Sequence, residues 1–83
     1  MIAVHVLAFA GVRDLIGKGE LPLELEQKAP EARHVLDLLC RRHPPLAPHR
    51  PYIRLAVNGE YVELDAPLSD GDEVALIPPV AGG

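Results

Sequence analysis

The sequence predicts an α+β fold in which a mixed β-sheet packs on one main α-helix. Three observations predict it: short segments in which apolar and polar residues alternate, one longer segment with helical periodicity between them, and turn-forming residues at the joints. A chain of 83 residues is long enough for one small domain with a single hydrophobic core.

The first two strands are predicted over residues 2–9 and 20–26. Both faces of the first are mostly apolar, so we expect a central strand that is covered on both sides, at least in its middle. A short helix over residues 11–16 follows it and ends at Gly17. In the second strand leucines alternate with charged residues and Pro22. Because proline cannot donate a hydrogen bond within a sheet, we expect an edge strand antiparallel to the first.

The main helix is predicted over residues 30–42, with Pro30 at its first position. Its apolar residues recur with i, i+3, i+4, i+7 spacing, which is typical of a helix with one buried face. Residues 43–51 are rich in proline and are expected to form a stiff surface loop.

Three further strands are predicted at residues 53–57, 61–63 and 73–77. The Asn58-Gly59 pair favours a hairpin between the first two, and Ser69-Asp70-Gly71-Asp72 favours a tight turn before the last. The order β-β-α-β-β-β, with two hairpins flanking a helix, predicts the ubiquitin-like β-grasp architecture. We expect the last strand to be central, beside the first.

Composition excludes several functions. The net charge of −4 argues against nucleic acid as the main partner, because phosphate binding requires a basic face. Cys40 is the only cysteine, so no internal disulfide is possible. The apolar first residues lack a basic leader segment and are too few to cross a bilayer. A cytoplasmic protein that does not bind membranes is expected.

Side chains with possible chemistry have simpler explanations. The histidines outside the first strand lack further ligands at a recognisable spacing, so no metal site is expected; they are His34, His43 and His49. Cys40 flanks the apolar helix face and is expected to be inert. Asp70 and Asp72 are interpreted as turn residues and not as an acid–base pair.

The end of the sequence is unusual. We predict a domain over residues 1–76 and an extended tail over residues 77–83, in which Pro78 and Pro79 restrict the backbone. Val80 and Ala81 are small and apolar, and Gly82-Gly83 has no side chains, so this segment could enter a narrow channel. We expect the Gly83 carboxylate to be the reactive group. The alternative is a frayed terminus with no role.

Four segments that follow one another along almost the whole chain carry a recognisable pattern: Phe9-Ala10-Gly11-Val12-Arg13-Asp14-Leu15, Val57-Asn58-Gly59-Glu60-Tyr61-Val62, Pro67-Leu68-Ser69-Asp70-Gly71-Asp72-Glu73-Val74 and Pro78-Pro79-Val80-Ala81-Gly82-Gly83. In this order they resemble the small subunit of molybdopterin synthase. The resemblance implies a sulfur carrier. A ubiquitin-activating-like adenylyltransferase would adenylate the Gly83 carboxylate with ATP, and a sulfur donor would convert it to a thiocarboxylate.

The same resemblance implies how the carrier is used. It would bind a large catalytic subunit, thread its tail into that subunit's active site, and give sulfur to a cyclic pyranopterin to form the molybdopterin dithiolene. A heterotetramer, with a small subunit at each end of a dimer of large subunits, is implied. The small subunit would bind no cofactor and supply no catalytic group. Gly82 would keep the threaded segment narrow. The residues before it would form the rest of the threaded segment: Pro78, Pro79, Val80 and Ala81.

The resemblance also implies an apolar patch for partner binding at Phe9, Tyr61 and Ile77, with Arg13 as a basic residue near it. Ile77 stands where the family commonly has phenylalanine, which implies a smaller patch. Plain core packing is the alternative for the three apolar residues, and a solvated charge is the alternative for Arg13.

Other functions remain open at this stage. They are a related sulfur carrier for thiazole or tRNA thiolation, a ubiquitin-like protein modifier whose carboxylate ends in an isopeptide bond, and a plain β-grasp binding module. The first two share the activated Gly83, whereas the last would tolerate its loss.

Overall fold

A computed structural model describes residues 1–79 of the chain. The elements within that range, in order, are β1 (Ile2–Ala8), α1 (Ala10–Ile16), β2 (Glu20–Leu25), α2 (Ala32–Arg42), a proline-rich 3₁₀ helix (Pro44–Tyr52), β3 (Arg54–Val57), β4 (Glu60–Val62) and β5 (Glu73–Ile77). No helix within residues 1–79 combines the length and the apolar character needed to cross a membrane.

The strands of residues 1–79 form one five-stranded sheet in the order β2-β1-β5-β3-β4. β1 and β5 are parallel, and the other neighbours are antiparallel. The predictions that β5 is central beside β1, and that β2 is an edge strand antiparallel to β1, are therefore confirmed. Since β1 and β5 run in the same direction, their carboxyl ends lie at the same edge of the sheet.

One face of the sheet carries the hydrophobic core, which α1, α2 and the 3₁₀ helix cover. The strands supply alternate residues to it, as their pleat requires. The two helices add Val12 and Ile16 from α1 and an i, i+3, i+4, i+7 set from α2. The largest fully buried side chains are Val6, Leu23, Leu25, Val35, Leu36, Leu39, Leu46, Val74 and Leu76. This arrangement confirms the predicted β-grasp.

The main helix begins two residues later than predicted. Glu31 is its N-cap, with an extended backbone at φ −124° and ψ 163°, so Pro30 lies outside the helix. The Leu68 N–H donates to the Pro30 carbonyl oxygen at 2.9 Å, and Glu31 forms a β-bridge with Pro67. These contacts with a distant segment hold the chain extended where the sequence alone favoured a first helical turn.

The prediction of a surface loop over residues 43–51 was wrong, because Pro44–Tyr52 forms a 3₁₀ helix. Proline fixes φ near the value that a 3₁₀ helix needs. The first turn is closed by a hydrogen bond from the Leu46 N–H to the His43 carbonyl oxygen at 2.8 Å, and the Leu46 side chain is 0% exposed. The 3₁₀ helix therefore contributes a side chain to the hydrophobic core.

The prediction that β1 is covered on both faces was also wrong. Ala3 and His5 are exposed on the face opposite the core, and His5 Nε2 lies 3.0 Å from the Glu20 carboxylate. The apolar residues on this face, Leu7 and Phe9, come only at the carboxyl end of the strand. The sheet thus has one open face, as antiparallel neighbours permit.

Two turns fix the entry to β5. Asn58 and Gly59 have φ values of 51° and 87°, the left-handed pair that a two-residue hairpin requires, which confirms that prediction. The Asp72 carboxylate accepts hydrogen bonds from the Ser69 N–H at 2.8 Å and from the Asn58 Nδ2 at 2.9 Å. The hairpin and the turn before β5 are therefore tied together, so β5 starts from a constrained position.

Candidate docking face and base of the tail

The register of the sheet brings the three predicted interface residues to one face. Ala56 pairs with Tyr61 and with Ala75, and Ala75 pairs with Leu7. Side chains in one such cross-strand row point the same way, and neighbouring strands lie about 4.8 Å apart. Leu7, Ala75, Ala56 and Tyr61 thus form a row across the open face.

A second row lies beside the first, at the edge from which the tail leaves. Ile77 pairs with Arg54, and Phe9 follows Ala8, the partner of Leu76, so Phe9 and Ile77 lie level. Strand alternation places these residues on the same face as the first row. We call the two rows together the outer patch: Leu7, Phe9, Arg54, Ala56, Tyr61, Ala75 and Ile77.

Exposure separates the outer patch from the core. Tyr61 is 65% exposed and Phe9 is 48% exposed, so neither is core packing. Ile77 is half-buried. Ala56 is only 7% exposed although it does not belong to the core cluster. An apolar surface of this kind on a small protein is typical of an interaction site.

Arg54 is a member of the outer patch that the sequence analysis missed. Its guanidinium carbon lies 5.4 Å from the centroid of the Tyr61 ring, within the range of a cation–π interaction. Alternation from the buried Leu55 would have placed Arg54 on the open face. The contact follows from the hairpin register, in which the two-residue Asn58-Gly59 turn pairs Ala56 with Tyr61.

Arg13 lies in α1 and not in the outer patch. It is exposed, and its Nε lies 3.4 Å from the position that a Cβ on Gly19 would occupy. The arginine side chain therefore passes close to Gly19. The predicted interface role of Arg13 stays a prediction.

A groove borders the outer patch where β5 ends, with a volume of about 710 Å³. Its walls come from the start of β3, from β4 and the segment after it, and from the end of the 3₁₀ helix. Arg54, Tyr61 and Ile77 belong to both the outer patch and the groove, and Pro78 and Pro79 also line the groove. The path out of β5 therefore begins inside an apolar groove, beside the outer patch.

The predicted tail begins within this region. β5 runs through Ile77, and Pro78 is half-buried whereas Pro79 is exposed. The remaining predicted tail residues, Val80, Ala81, Gly82 and Gly83, lie outside the described residues.

The polar side chains considered for chemistry have structural roles. Asp70 Oδ1 accepts a hydrogen bond from the Ala3 N–H at 2.8 Å, and Asp72 ties two turns together, which confirms their interpretation as turn residues. His34 Nδ1 accepts a hydrogen bond from the Glu31 N–H at 2.8 Å. Within residues 1–79, no group of three or more His, Cys, Asp and Glu side chains is placed to hold a metal ion.

Cys40 is half-buried on α2. Burial raises the pKa of its thiol, which the positive charge of Arg50 partly offsets and the negative charge of Asp37 reinforces. A raised pKa keeps the thiol protonated and weakly nucleophilic. This agrees with the expectation that Cys40 is inert.

Residues 6–83 match the model of the ThiS family. The chain belongs to the ThiS family. It is 39% identical over 89 residues to the molybdopterin synthase sulfur carrier subunit of Aedes aegypti, an alignment that covers 100% of this chain and 91% of the relative.

Solved structures agree with this membership of the ThiS family. A putative molybdopterin converting factor, subunit 1, from Pyrococcus furiosus superposes with a TM-score of 0.86 at 32% identity, over 96% of this chain and 100% of that one. The small archaeal modifier protein 1 of Methanosarcina acetivorans superposes with a TM-score of 0.82 at 30% identity, over 100% of this chain and 98% of that one.

Proposed function

We propose that this ThiS-family chain is the sulfur carrier subunit of a molybdopterin synthase. The observation that carries the proposal is the full-length similarity to a sulfur carrier subunit of that enzyme. The structure supports it in two ways. An exposed apolar face is available for a partner, and the central strand leads into Pro78 and Pro79 directly beside that face.

The reacting group in this proposal is the carboxylate of Gly83 as the last residue. A carboxylate is a poor electrophile, so an adenylyltransferase partner first joins it to the AMP portion of ATP and releases pyrophosphate. A sulfur nucleophile then displaces AMP and leaves a thiocarboxylate. The thiocarboxylate sulfur forms a bond to a carbon of the cyclic pyranopterin, and water then hydrolyses the acyl–sulfur bond, which leaves the sulfur on the pterin and returns Gly83 to a carboxylate.

In this proposal the folded domain supplies the binding surface, and the tail carries the reactive group. Gly82 and Gly83 have no side chains, so the carbonyl group can reach the end of a narrow channel. The four residues before them would lie within that channel: Pro78, Pro79, Val80 and Ala81. In this proposal the partner proteins catalyse both the activation of Gly83 and the sulfur transfer.

The outer patch is the proposed docking face for the large catalytic subunit. Phe9, Tyr61 and Ile77 would fill apolar sites on that subunit while the tail enters its active site, and Arg13 would contact it from α1. The proposed assembly is a heterotetramer, with one carrier at each end of a dimer of large subunits. The proposed compartment is the cytoplasm, where ATP is available for the activation step.

The test is the intact mass of the untagged protein purified from its own cells. We expect the mass change of one oxygen replaced by sulfur, localised to Gly83 by fragmentation. The thiocarboxylate form should then convert cyclic pyranopterin to molybdopterin when mixed with the large subunit. Deletion of Gly83 should abolish this conversion and leave the thermal unfolding midpoint unchanged, because the residue lies beyond β5.

A protein modifier is the second candidate, and the similarity to a small archaeal modifier protein favours it. The same mass measurement separates the two. An unmodified carboxylate, together with heavier species joined through Gly83 to lysines of other proteins, would contradict the molybdopterin function. A thiocarboxylate that the large subunit cannot use would instead point to a carrier for thiazole or tRNA thiolation. If deletion of Gly83 changes none of these activities, the chain is a plain binding module.

A further inference from the structure

Arg54 occupies an unusual position for a cation. It lies in the outer patch, with Ile77 as its neighbour across the strand pair and the Tyr61 ring 5.4 Å from its guanidinium carbon. The other members of the patch are alanine, leucine, phenylalanine, tyrosine and isoleucine. A positive charge thus stands within the surface that the proposed function buries against a partner.

Within residues 1–79, no carboxylate forms an ion pair with Arg54. The ion pairs of this region join His5 to Glu20, Arg33 to Glu31 and Arg50 to Asp37. Arg54 is exposed in the unbound chain. A guanidinium that contacts a ring can still donate hydrogen bonds, because it carries five N–H groups.

Binding of a partner to the outer patch changes the solvation of Arg54. The guanidinium lies over the Tyr61 ring, so a partner that covers the ring also removes water from the cation. Taking an unpaired charge out of water opposes binding strongly. A carboxylate on the partner can offset that cost with two parallel hydrogen bonds to the planar guanidinium.

We infer that the partner surface which receives the outer patch places an aspartate or glutamate side chain opposite Arg54. This inference rests on the proposed function and names the large subunit as the partner. Arg54 is then a specificity residue: its partner must combine an apolar site for Tyr61 with an acidic group beside it. A surface that offers only apolar contacts would leave the cation unpaired.

The experiment measures the dissociation constant of the full-length chain with the large subunit from the same organism, at low and high salt. Arg54→Met removes the charge and keeps an apolar side chain of similar length. We expect binding to weaken about 30-fold or more, because loss of one member of a buried charge pair leaves the other unpaired. We also expect Arg54→Glu to weaken it further, and the salt dependence of binding to fall in Arg54→Met.

Arg42→Met and Arg42→Glu are the matched controls. Arg42 is exposed at the end of α2, on the other side of the sheet, so these variants repeat both charge changes away from the outer patch. We expect changes of less than about 3-fold for them, as for exposed charges generally. Circular dichroism and thermal unfolding check that every variant remains folded.

The outcomes distinguish the inference from the proposed function. If Arg54→Met binds as tightly as the unsubstituted chain while Tyr61→Ala binds weakly, Arg54 moves aside into solvent and the inference is wrong. Equal weakening of binding by the Arg42 and Arg54 substitutions would reveal only a general charge effect, and this result would also contradict the inference. If the unsubstituted chain does not bind the large subunit, the proposed function fails and the inference fails with it.

Discussion

At the scale of single residues, Asn58 combines a backbone role with a side-chain role. Its φ of 51° lies in the left-handed region, its Nδ2 donates to Asp72, and its Oδ1 accepts from the Glu73 N–H at 3.0 Å. Asparagine tolerates this conformation better than most residues, whereas a left-handed conformation costs alanine about 1–2 kcal/mol. One residue therefore shapes the hairpin and connects it to β5.

We expect Asn58→Ala to lower the free energy of unfolding by about 2–3 kcal/mol, because it adds backbone strain to the loss of two hydrogen bonds. Asn58→Gly removes the same hydrogen bonds without the strain, so its loss should be smaller by about 1 kcal/mol. Urea unfolding of both variants measures the difference. Equal losses would show that the backbone conformation contributes nothing.

Cys40 provides a second prediction at this scale. Because burial raises the pKa of its thiol, less thiolate is present at any given pH than in an exposed cysteine. We expect alkylation by iodoacetamide at pH 8 to be several-fold slower in the folded chain than in urea, and the rate to keep rising above the pH at which an exposed thiol is fully ionised. A folded-state rate equal to that in urea would contradict this.

At the scale of elements, the proline-rich 3₁₀ helix differs most from what its sequence indicates. It supplies Leu46 to the core, where the side chain is 0% exposed. It also supplies Arg50, which pairs with Asp37 of α2. The segment is held in place by packing against α2, and its end, through Tyr52, forms one wall of the groove beside the tail.

We expect Leu46→Ala to lower the free energy of unfolding by about 2–5 kcal/mol, the usual cost of a cavity at a fully buried leucine. Leu64→Ala is the matched control, since Leu64 is 44% exposed and its truncation should cost less than about 1 kcal/mol. Thermal and urea unfolding measure both. If both variants lower the free energy of unfolding by similarly small amounts, the 3₁₀ helix does not contribute to the hydrophobic core through Leu46.

At the scale of the whole molecule, the parallel pairing of β1 and β5 brings the outer patch and the start of the tail to one edge. Phe9 follows one strand and Pro78 follows the other, so a partner that holds the patch also holds the base of the tail. The core and both helices lie on the opposite face of the sheet. Stability and docking therefore depend on different side chains.

This separation predicts that Tyr61→Ala weakens binding to the large subunit by about 30-fold while changing the free energy of unfolding by less than about 1 kcal/mol. A large exposed tyrosine is a typical energetic anchor of an interface, and an exposed cation–π contact contributes little to folding. Titration calorimetry and urea unfolding measure the two quantities.

Tyr52→Ala is the positional control for that experiment. Tyr52 is also 65% exposed, but it lies in the 3₁₀ helix on the far wall of the groove. We expect its replacement to leave the dissociation constant within about 3-fold. An equal loss for both tyrosines would show that the partner occupies the groove as a whole and that the outer patch alone does not define the docking face.

The sequence by itself determined the order and type of the strands and of both α-helices. Local physics decides these features: apolar periodicity for the helix and strands, a left-handed turn at Asn58-Gly59, and a proline that confines β2 to an edge. The four resembling segments also indicated the family correctly, because they follow one another along nearly the whole chain.

The tertiary structure alone decided which faces are covered. Alternation shows which side chains of β1 share a face but not which face meets the helices, so the exposed position of His5 was unexpected. The same limit hid the 3₁₀ helix, whose order comes from the burial of Leu46 against distant residues, and the contact of Arg54 with Tyr61 across a hairpin. The exposure of His5 and the burial of Leu46 depend on contacts between segments far apart in the chain, and local sequence patterns carry no information about such contacts. Arg54 and Tyr61, by contrast, meet across one short hairpin.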